Sequence, residues 1–304
     1  MSEHHVLLIE NPCALNIHLE CLKISRAGEE PIRIRPSDIA VLCLHHHTVQ
    51  LSVHVLRRLT ESGAAILVVD DQHQPSGMML PTFGRPHATV RLRQQIELDR
   101  SKLHALVWQQ LVSARLRSQS WVLEAYGRAP AARLARLAGL VEPGDAGHLE
   151  GQGARLYWDS LFDQPFKRKK RDAKDMINIH LNFGYSLLRS LITRELAQAA
   201  LRPELGVGHR STENPFNLAD DFLEPYRFLV ERLVVSRPPH KGEKFSSEHR
   251  RQIISGLFEQ NVRLGDQDFR LPAAIRKTIA SYLRILEAGG VGRRRKLLLP
   301  ERPQ

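Results

Sequence analysis

Three carboxylates crowd into five positions of the stretch GHRSTENPFNLADDFLEPYR: Asp220, Asp221 and Glu224, all downstream of His209. Carboxylates and an imidazole can hold a divalent cation, and such a cation beside a phosphodiester stabilises the charge of phosphoryl transfer. The same acids also suit an ordinary solvated helix start. Asn217 can cap the first turn, and the helix dipole favours Asp220 and Asp221 there. Glu224 fits that account less well. It lies one turn from both acids, where like charges repel, with Arg227 placed to offset part of the cost. Pro225 lacks a backbone donor and clashes with the Asp221 carbonyl, so a kink is expected. Leu218, Phe222, Tyr226, Leu229 and Leu233 share an apolar face, which leaves Asp221 and Glu224 on its flank.

Two further segments bear on the choice. LEGQGARLYW sets Glu150 at a helix start, followed by Gly151 and Gly153. Glycine costs about 1 kcal/mol relative to alanine inside a helix, and it makes sense where another backbone or a ligand comes close. KDMINIHLNFGYSLLRSLITREL reads as a buried helix with a polar stripe of Asn178, Asn182 and Tyr185 at i, i+4 and i+7. Helix-to-helix hydrogen bonding and ligand contact both account for that stripe.

These segments sit in a basic chain. Its 304 residues carry 44 Lys plus Arg against 33 Asp plus Glu, a net charge of +11. That excess favours a polyanionic partner, nucleic acid before anionic membrane. Runs of cations occur at Lys167, Arg168, Lys169, Lys170 and Arg171, and at Arg293, Arg294, Arg295 and Lys296. As loops they can be merely solvated, or they can track phosphates. No apolar run approaches the ~18 residues of a membrane span, and the first residues lack a signal-peptide pattern. Cys13, Cys21 and Cys43 form neither a disulfide framework nor a CxxC pair, so they read as reduced core residues of a cytoplasmic protein. The triplet His45-His46-His47 reads as a polar strand end, because successive strand residues face opposite ways.

The elements that must position these residues fall into two parts. The first 85 residues are strand-rich: HVLLIE, LNIHLECLKIS, PIRIRP, SDIAVLCLH and AAILVVDD, with a helix from Val49 to Leu59 ended near Gly63. Pro75, Gly77, Pro81, Gly84 and Pro86 mark the boundary. Beyond it the period becomes helical, over 89–125, 128–141, 150–163, 173–200, 217–236, 246–263 and 272–287. GGVGRRRKLLLPERPQ reads as a flexible basic tail. The expected fold is α+β: a small β-rich domain (1–85) joined to a larger all-helical domain (86–304).

Taken together, DMINIHLNFGYSLLRS, LGVGHRSTENPFNLADDFLEPYR and LEGQGARLYW resemble the signatures of CRISPR-associated protein one, the integrase and metal-dependent DNA nuclease of spacer acquisition. The wording NPFNLADDFLEPYR is most similar to its type II version. The likeness is specific over about 145–237 and looser before it, and Phe183 stands where the family often has tyrosine. It implies Glu150, His209 and Glu224 as catalytic metal ligands and Asp221 as an assisting acid, whereas relatives often have an apolar residue at Asp220.

A carboxylate–imidazole–carboxylate set suits Mg²⁺ or Mn²⁺. The resemblance implies transesterification, in which the 3′-hydroxyl of a short protospacer DNA attacks the CRISPR repeat once on each strand. It further implies a homodimer joined through the N-terminal sheets, and a heterohexamer with CRISPR-associated protein two. Lys167 to Arg171, Asn178, Asn182, Tyr185 and Arg293 to Arg295 are the candidate DNA contacts. Two rival functions remain: a metal-dependent nuclease for branched DNA in repair, and a non-enzymatic DNA scaffold. Acids beside a phosphate path argue against the scaffold unless a cation intervenes.

Overall fold

The computed structural model describes residues 5–70, 75–170, 172–239, 243–289 and 296–302. The N-terminal part comprises β1 (His5–Ile9), β2 (Ala14–His18), β3 (Cys21–Ser25), β4 (Ile32–Ile34), β5 (Ile39–Leu44), β6 (Gln50–Leu51), α1 (Val53–Glu61), β7 (Ala65–Val69) and β8 (Pro75–Met79). These strands make two sheets, ordered β1-β5-β7-β8 and β4-β3-β2-β6. In the first, β1, β5 and β7 run parallel and β8 returns antiparallel along β7. The alternation of strand side chains divides this sheet between two cores. Leu42 and Ile66 pack with the small sheet and α1, whereas Val41, Cys43, Ala65 and Leu67 enter the helical core.

Two strand assignments change. LNIHLECLKIS, expected as one strand, is the β2–β3 hairpin, turning at Leu19 (φ 48°) and Glu20 (φ 61°). Neither residue is a usual left-handed turn former, so the sequence carried no hairpin signal. The Pro/Gly stretch expected as a boundary supplies β8, an edge strand, where proline is tolerated.

The helical part contains α2 (Ala88–Arg100), α3 (Leu103–Ala125), α4 (Ala131–Gly139), α5 (Leu149–Leu161), α6 (Met176–Gln198), α7 (Asn217–Leu223), α8 (Arg227–Ser236), α9 (Ser247–Glu259), β9 (Asn261–Leu264), β10 (Gln267–Arg270) and α10 (Leu271–Ala288). The helix expected over 89–125 breaks at Ser101, whose backbone is extended and whose Oγ accepts from the Leu103 N–H at 3.2 Å. A 3₁₀ turn, Glu224–Tyr226, separates α7 from α8 where Pro225 predicted a kink. The helix expected to reach residue 263 stops at Glu259, and an antiparallel hairpin follows, with Gly265 at φ 58° in its turn. The tail is a correction as well. Residues 296–302 dock: Leu297 is buried, its N–H donates to Gln110 Oε1 (2.9 Å), and the Leu298 carbonyl accepts from Thr278 (2.6 Å). Burial of apolar side chains outweighs the flexibility suggested by the flanking cations.

One buried carboxylate ties the helices together. Glu231 of α8 is fully buried; it accepts from Arg115 Nη1 (2.9 Å) and Nη2 (2.6 Å) on α3. It also accepts from Tyr157 Oη (2.8 Å) on α5 and Tyr185 Oη (2.6 Å) on α6. Burial opposes its charge, but Arg115 and the two phenols outweigh that and hold its pKa below the usual carboxylate value. α5 can approach because Gly153 faces Leu116, where a Cβ would overlap the leucine, and α6 does the same with Gly184 against Val230.

Two stability outcomes follow from this packing. Gly153→Ala should gain about 1 kcal/mol of helix propensity but lose about 1–3 kcal/mol to overpacking, lowering the melting temperature. Gly151, with open space at its Cβ position, should give a higher melting temperature as alanine, and a thermal melt of each variant checks both. For Glu231→Gln, the depressed folded pKa means the native carboxylate stabilises fully above the unfolded value near 4.5 and loses that stabilisation as pH falls through the folded one. The deficit of the variant, of about 3–5 kcal/mol at neutral pH, should therefore shrink only in acid, as read from denaturant melts across pH.

Candidate metal and DNA-processing site

Glu150, His209 and Glu224 are set in place by three separate devices. The first is a cap before α5. The buried Asp145 accepts from the N–H groups of Leu149 (2.8 Å) and Glu150 (3.0 Å), closing a turn in which Gly144, Asp145 and His148 all take left-handed conformations. Glu150 thus starts the helix half-buried, where the helix dipole favours its charge.

The second device is a loop wrapped around Asp221. Its fully buried carboxylate accepts from the backbone N–H of Val207 (2.6 Å), Gly208 (3.2 Å) and His209 (2.9 Å). Its Oδ1 also lies 2.9 Å from His209 Nδ1. Burial pushes the Asp221 carboxyl up, although the histidine and the loop amides pull it back. Burial also opposes charge on His209, but its contact with Asp221 and the fields of Glu224 and Asp220 raise its pKa overall. Neutral His209 places its proton on Nδ1 toward Asp221, which leaves Nε2 with a lone pair for a ligand. The loop needs its glycines. A Cβ on Gly208 would enter the Trp108 ring, and one on Gly206 would lie 2.9 Å from Asp221 Oδ2. Trp108 meets the His209 ring edge-on at 5.5 Å.

The third device is the kink after Leu223. It turns the buried Glu224 toward two guanidiniums: Arg227 Nη2 at 2.9 Å from Oε1 and Arg115 Nε at 3.5 Å from Oε2. Arg227 in turn lies over the Tyr185 ring at 4.8 Å. Although the Glu150 N–H donates to Asp145, its carboxylate has no hydrogen bond or ion pair among the described residues. Burial and then the charge of Glu224 push its pKa up, against the pull of His209, Arg227 and Arg115. The three expected ligands therefore feel one another's fields. Even so, among the described residues no three His, Cys, Asp or Glu side chains are gathered tightly enough to form a coordination sphere. Glu224 is satisfied by protein cations instead.

Other expected residues have different roles. Asp220 accepts from Arg189 (2.7 Å) and Asn214 (2.8 Å), and so is a brace. Asn217 does not cap its helix. It is buried, and its amide donates to the carbonyls of Glu204 (3.2 Å) and Ser211 (2.7 Å), pinning the His209 loop. Of the two accounts of the α6 stripe, the geometry shows internal hydrogen bonding. Arg168 donates to Asn178 Oδ1 (2.8 Å) and Asn182 Oδ1 (2.6 Å) and lies over Tyr185, whose hydroxyl is committed to Glu231. Asn178, Asn182 and Tyr185 are buried beneath the half-buried Arg168. Lys167, Lys169 and Lys170 remain exposed around this inward arginine. Arg171, Arg293, Arg294 and Arg295 lie outside the described residues. Arg115, Glu231 and Asp145 escaped sequence analysis. Asp145 and the left-handed Gly144 lie in a short PGD turn, whose spacing to Glu150 was the one usable signal.

Among the described residues no helix is long and apolar enough to cross a membrane. Comparison with known proteins matches the family model "CRISPR associated protein Cas1" over residues 6–251. A CRISPR-associated endonuclease Cas1 of Neisseria meningitidis is 33% identical over 300 residues, covering 97% of this chain and 95% of that one. The fold is shared with a casposase bound to an integration product (TM-score 0.76, 18% identity, 95% of this chain and 92% of that one). It is shared too with a chain of a Cas6-RT-Cas1–Cas2 complex (TM-score 0.75, 18% identity, 98% of this chain and 36% of that one). The α+β chain, a β-rich start followed by a helical body around Glu150, His209 and Glu224, belongs to the Cas1 family of CRISPR-associated endonucleases.

Proposed function

We propose that this enzyme is a type II-like CRISPR spacer-acquisition integrase that joins the 3′-hydroxyl ends of short protospacer DNA to the CRISPR repeat. The observation that carries the site assignment is Glu150: a half-buried carboxylate without a side-chain partner among the described residues, its pKa raised by burial and then by the charge of Glu224, and within the field of a histidine oriented by Asp221. A divalent cation removes that repulsion, and the oxygen–nitrogen–oxygen donor set fits Mg²⁺ or Mn²⁺. Glu150, His209 and Glu224 would hold it, and when bound it supplies Lewis-acid stabilisation of the phosphoryl group.

The chain's own residues do the rest. Asp221 fixes the tautomer and direction of His209, and Trp108 limits rotation of that ring. Burial of Glu224 keeps water from its carboxylate, which strengthens local electrostatics. The exposed Lys167, Lys169 and Lys170 draw the DNA backbone to the site. The attacking 3′-oxygen forms a new bond to phosphorus as the repeat's phosphorus–oxygen bond breaks, and that oxygen leaves as a 3′-hydroxyl. Water in place of the 3′-hydroxyl gives endonucleolytic hydrolysis.

The proposed assembly is a homodimer joined through the N-terminal sheets, two of which flank a Cas2 dimer. Support comes from the fold shared with the chain of the Cas1–Cas2-containing complex.

Half-site integration into a supercoiled repeat plasmid tests the function. Product should form with Mg²⁺ or Mn²⁺, vanish with chelator, and fall to background in Glu150→Ala, His209→Ala and Glu224→Ala. Junction cleavage without preference for the repeat would instead identify a repair nuclease. Asp221→Asn should weaken metal affinity about 10–100-fold, measured by titration calorimetry. Replacing Lys167, Lys169 and Lys170 by Gln should reduce the salt slope of DNA binding by about 0.9 per lost phosphate contact, with metal affinity unchanged. An unaltered slope rejects that role for the lysines.

A further inference from the structure

We infer that Glu231 is a positioning residue for Glu224: by engaging both terminal nitrogens of Arg115, it limits that guanidinium to one long contact and keeps Glu224 available to a divalent cation. The inference rests on Glu224 being a metal ligand.

Arg115 has two carboxylates within reach. A guanidinium fork matches a carboxylate through two parallel N–H groups, and Arg115 gives that fork to Glu231 at 2.9 and 2.6 Å. Only Nε is left for Glu224, at 3.5 Å, beyond the usual range of a good hydrogen bond. Tyr157 and Tyr185 donate to the two Glu231 oxygens at 2.8 and 2.6 Å and help keep that carboxylate ionised. Four donors on one acceptor group thus secure the fork.

Arg115 is buried and keeps its charge, so it must always face an anion. If Glu231 is neutralised, the nearest alternative is Glu224. That carboxylate already accepts from Arg227 at 2.9 Å on its other oxygen. A second full guanidinium contact would clamp it from both sides. Charge leads to the same result. Loss of the Glu231 carboxylate removes one negative charge from a cluster in which Arg115, Arg168 and Arg227 all feel it, which disfavours a dication. Nothing in this device requires Glu231 to touch metal or DNA.

Mn²⁺ titration calorimetry of the full chain without DNA tests this, with melting curves to confirm folding. Glu231→Gln should bind Mn²⁺ about 10–100-fold more weakly. Adding Arg115→Met, which removes the competitor, should return affinity close to wild type. Tyr157→Phe, which leaves the fork in place, should lower the melting temperature without changing affinity. Glu231→Asp, which keeps the charge but withdraws the carboxylate by one carbon, should show a smaller loss. That variant and the double variant decide the question should Glu231→Gln fail to fold. Wild-type affinity in both Glu231 variants, or a double variant no better than either of them, overturns the inference. No saturable binding by wild type, or normal binding by Glu150→Ala and Glu224→Ala, would instead remove the metal-ligand assignment itself.

Discussion

The fold around the site depends on one buried ion pair, Arg115 with Glu231. Each partner would be costly alone in this interior, and together with two tyrosine hydroxyls they satisfy one another. Because the four groups come from α3, α5, α6 and α8, the pair fixes the mutual placement of four helices at one point. Glu150 is on one of those helices, and Glu224 sits in the turn leading into another. An apolar cluster of the same volume could pack these helices, but it would not fix the direction in which the Arg115 guanidinium points.

Around that point the acids fall into distinct kinds. Glu231 and Asp220 are consumed by arginines, Asp221 and Asp145 by backbone amides, and Glu150 by nothing within the described chain. Partner chemistry therefore separates, more sharply than burial does, the carboxylates already engaged by the protein from the one that is not. Glu224 is intermediate: it is held by arginines, but loosely on one side.

Much of this was legible in the sequence, unevenly. The kink at Pro225 and the helix carrying Glu150 followed from local patterns, because proline, glycine and charge spacing act over a few residues, whereas the pairing of His209 with the acids of α7 came only from the family resemblance. Arg115 and Glu231 were invisible for the opposite reason. They are 116 positions apart, and an acid in RFLVERL reads as a surface residue until its partner is known. The Asn178–Asn182–Tyr185 stripe marked polar function correctly as a pattern, but its direction depended on Arg168 folding inward from a run of cations that looks uniformly solvated. The β9–β10 hairpin was lost to a helical window that ran past Glu259, and β8 was hidden by its proline and glycine.

The two-faced sheet carries a corollary. Along β5 from Val41 and along the first half of β7, alternate residues enter opposite cores, and only from Val68 does β7 turn a side chain to solvent. The helix α6 rests on β5 and β7, and the opposite face of those strands carries the small sheet and α1. One sheet thus lies between the core of the N-terminal layer and the helix bearing Tyr185, so a change of side chain on either face of β5 is felt by a different core.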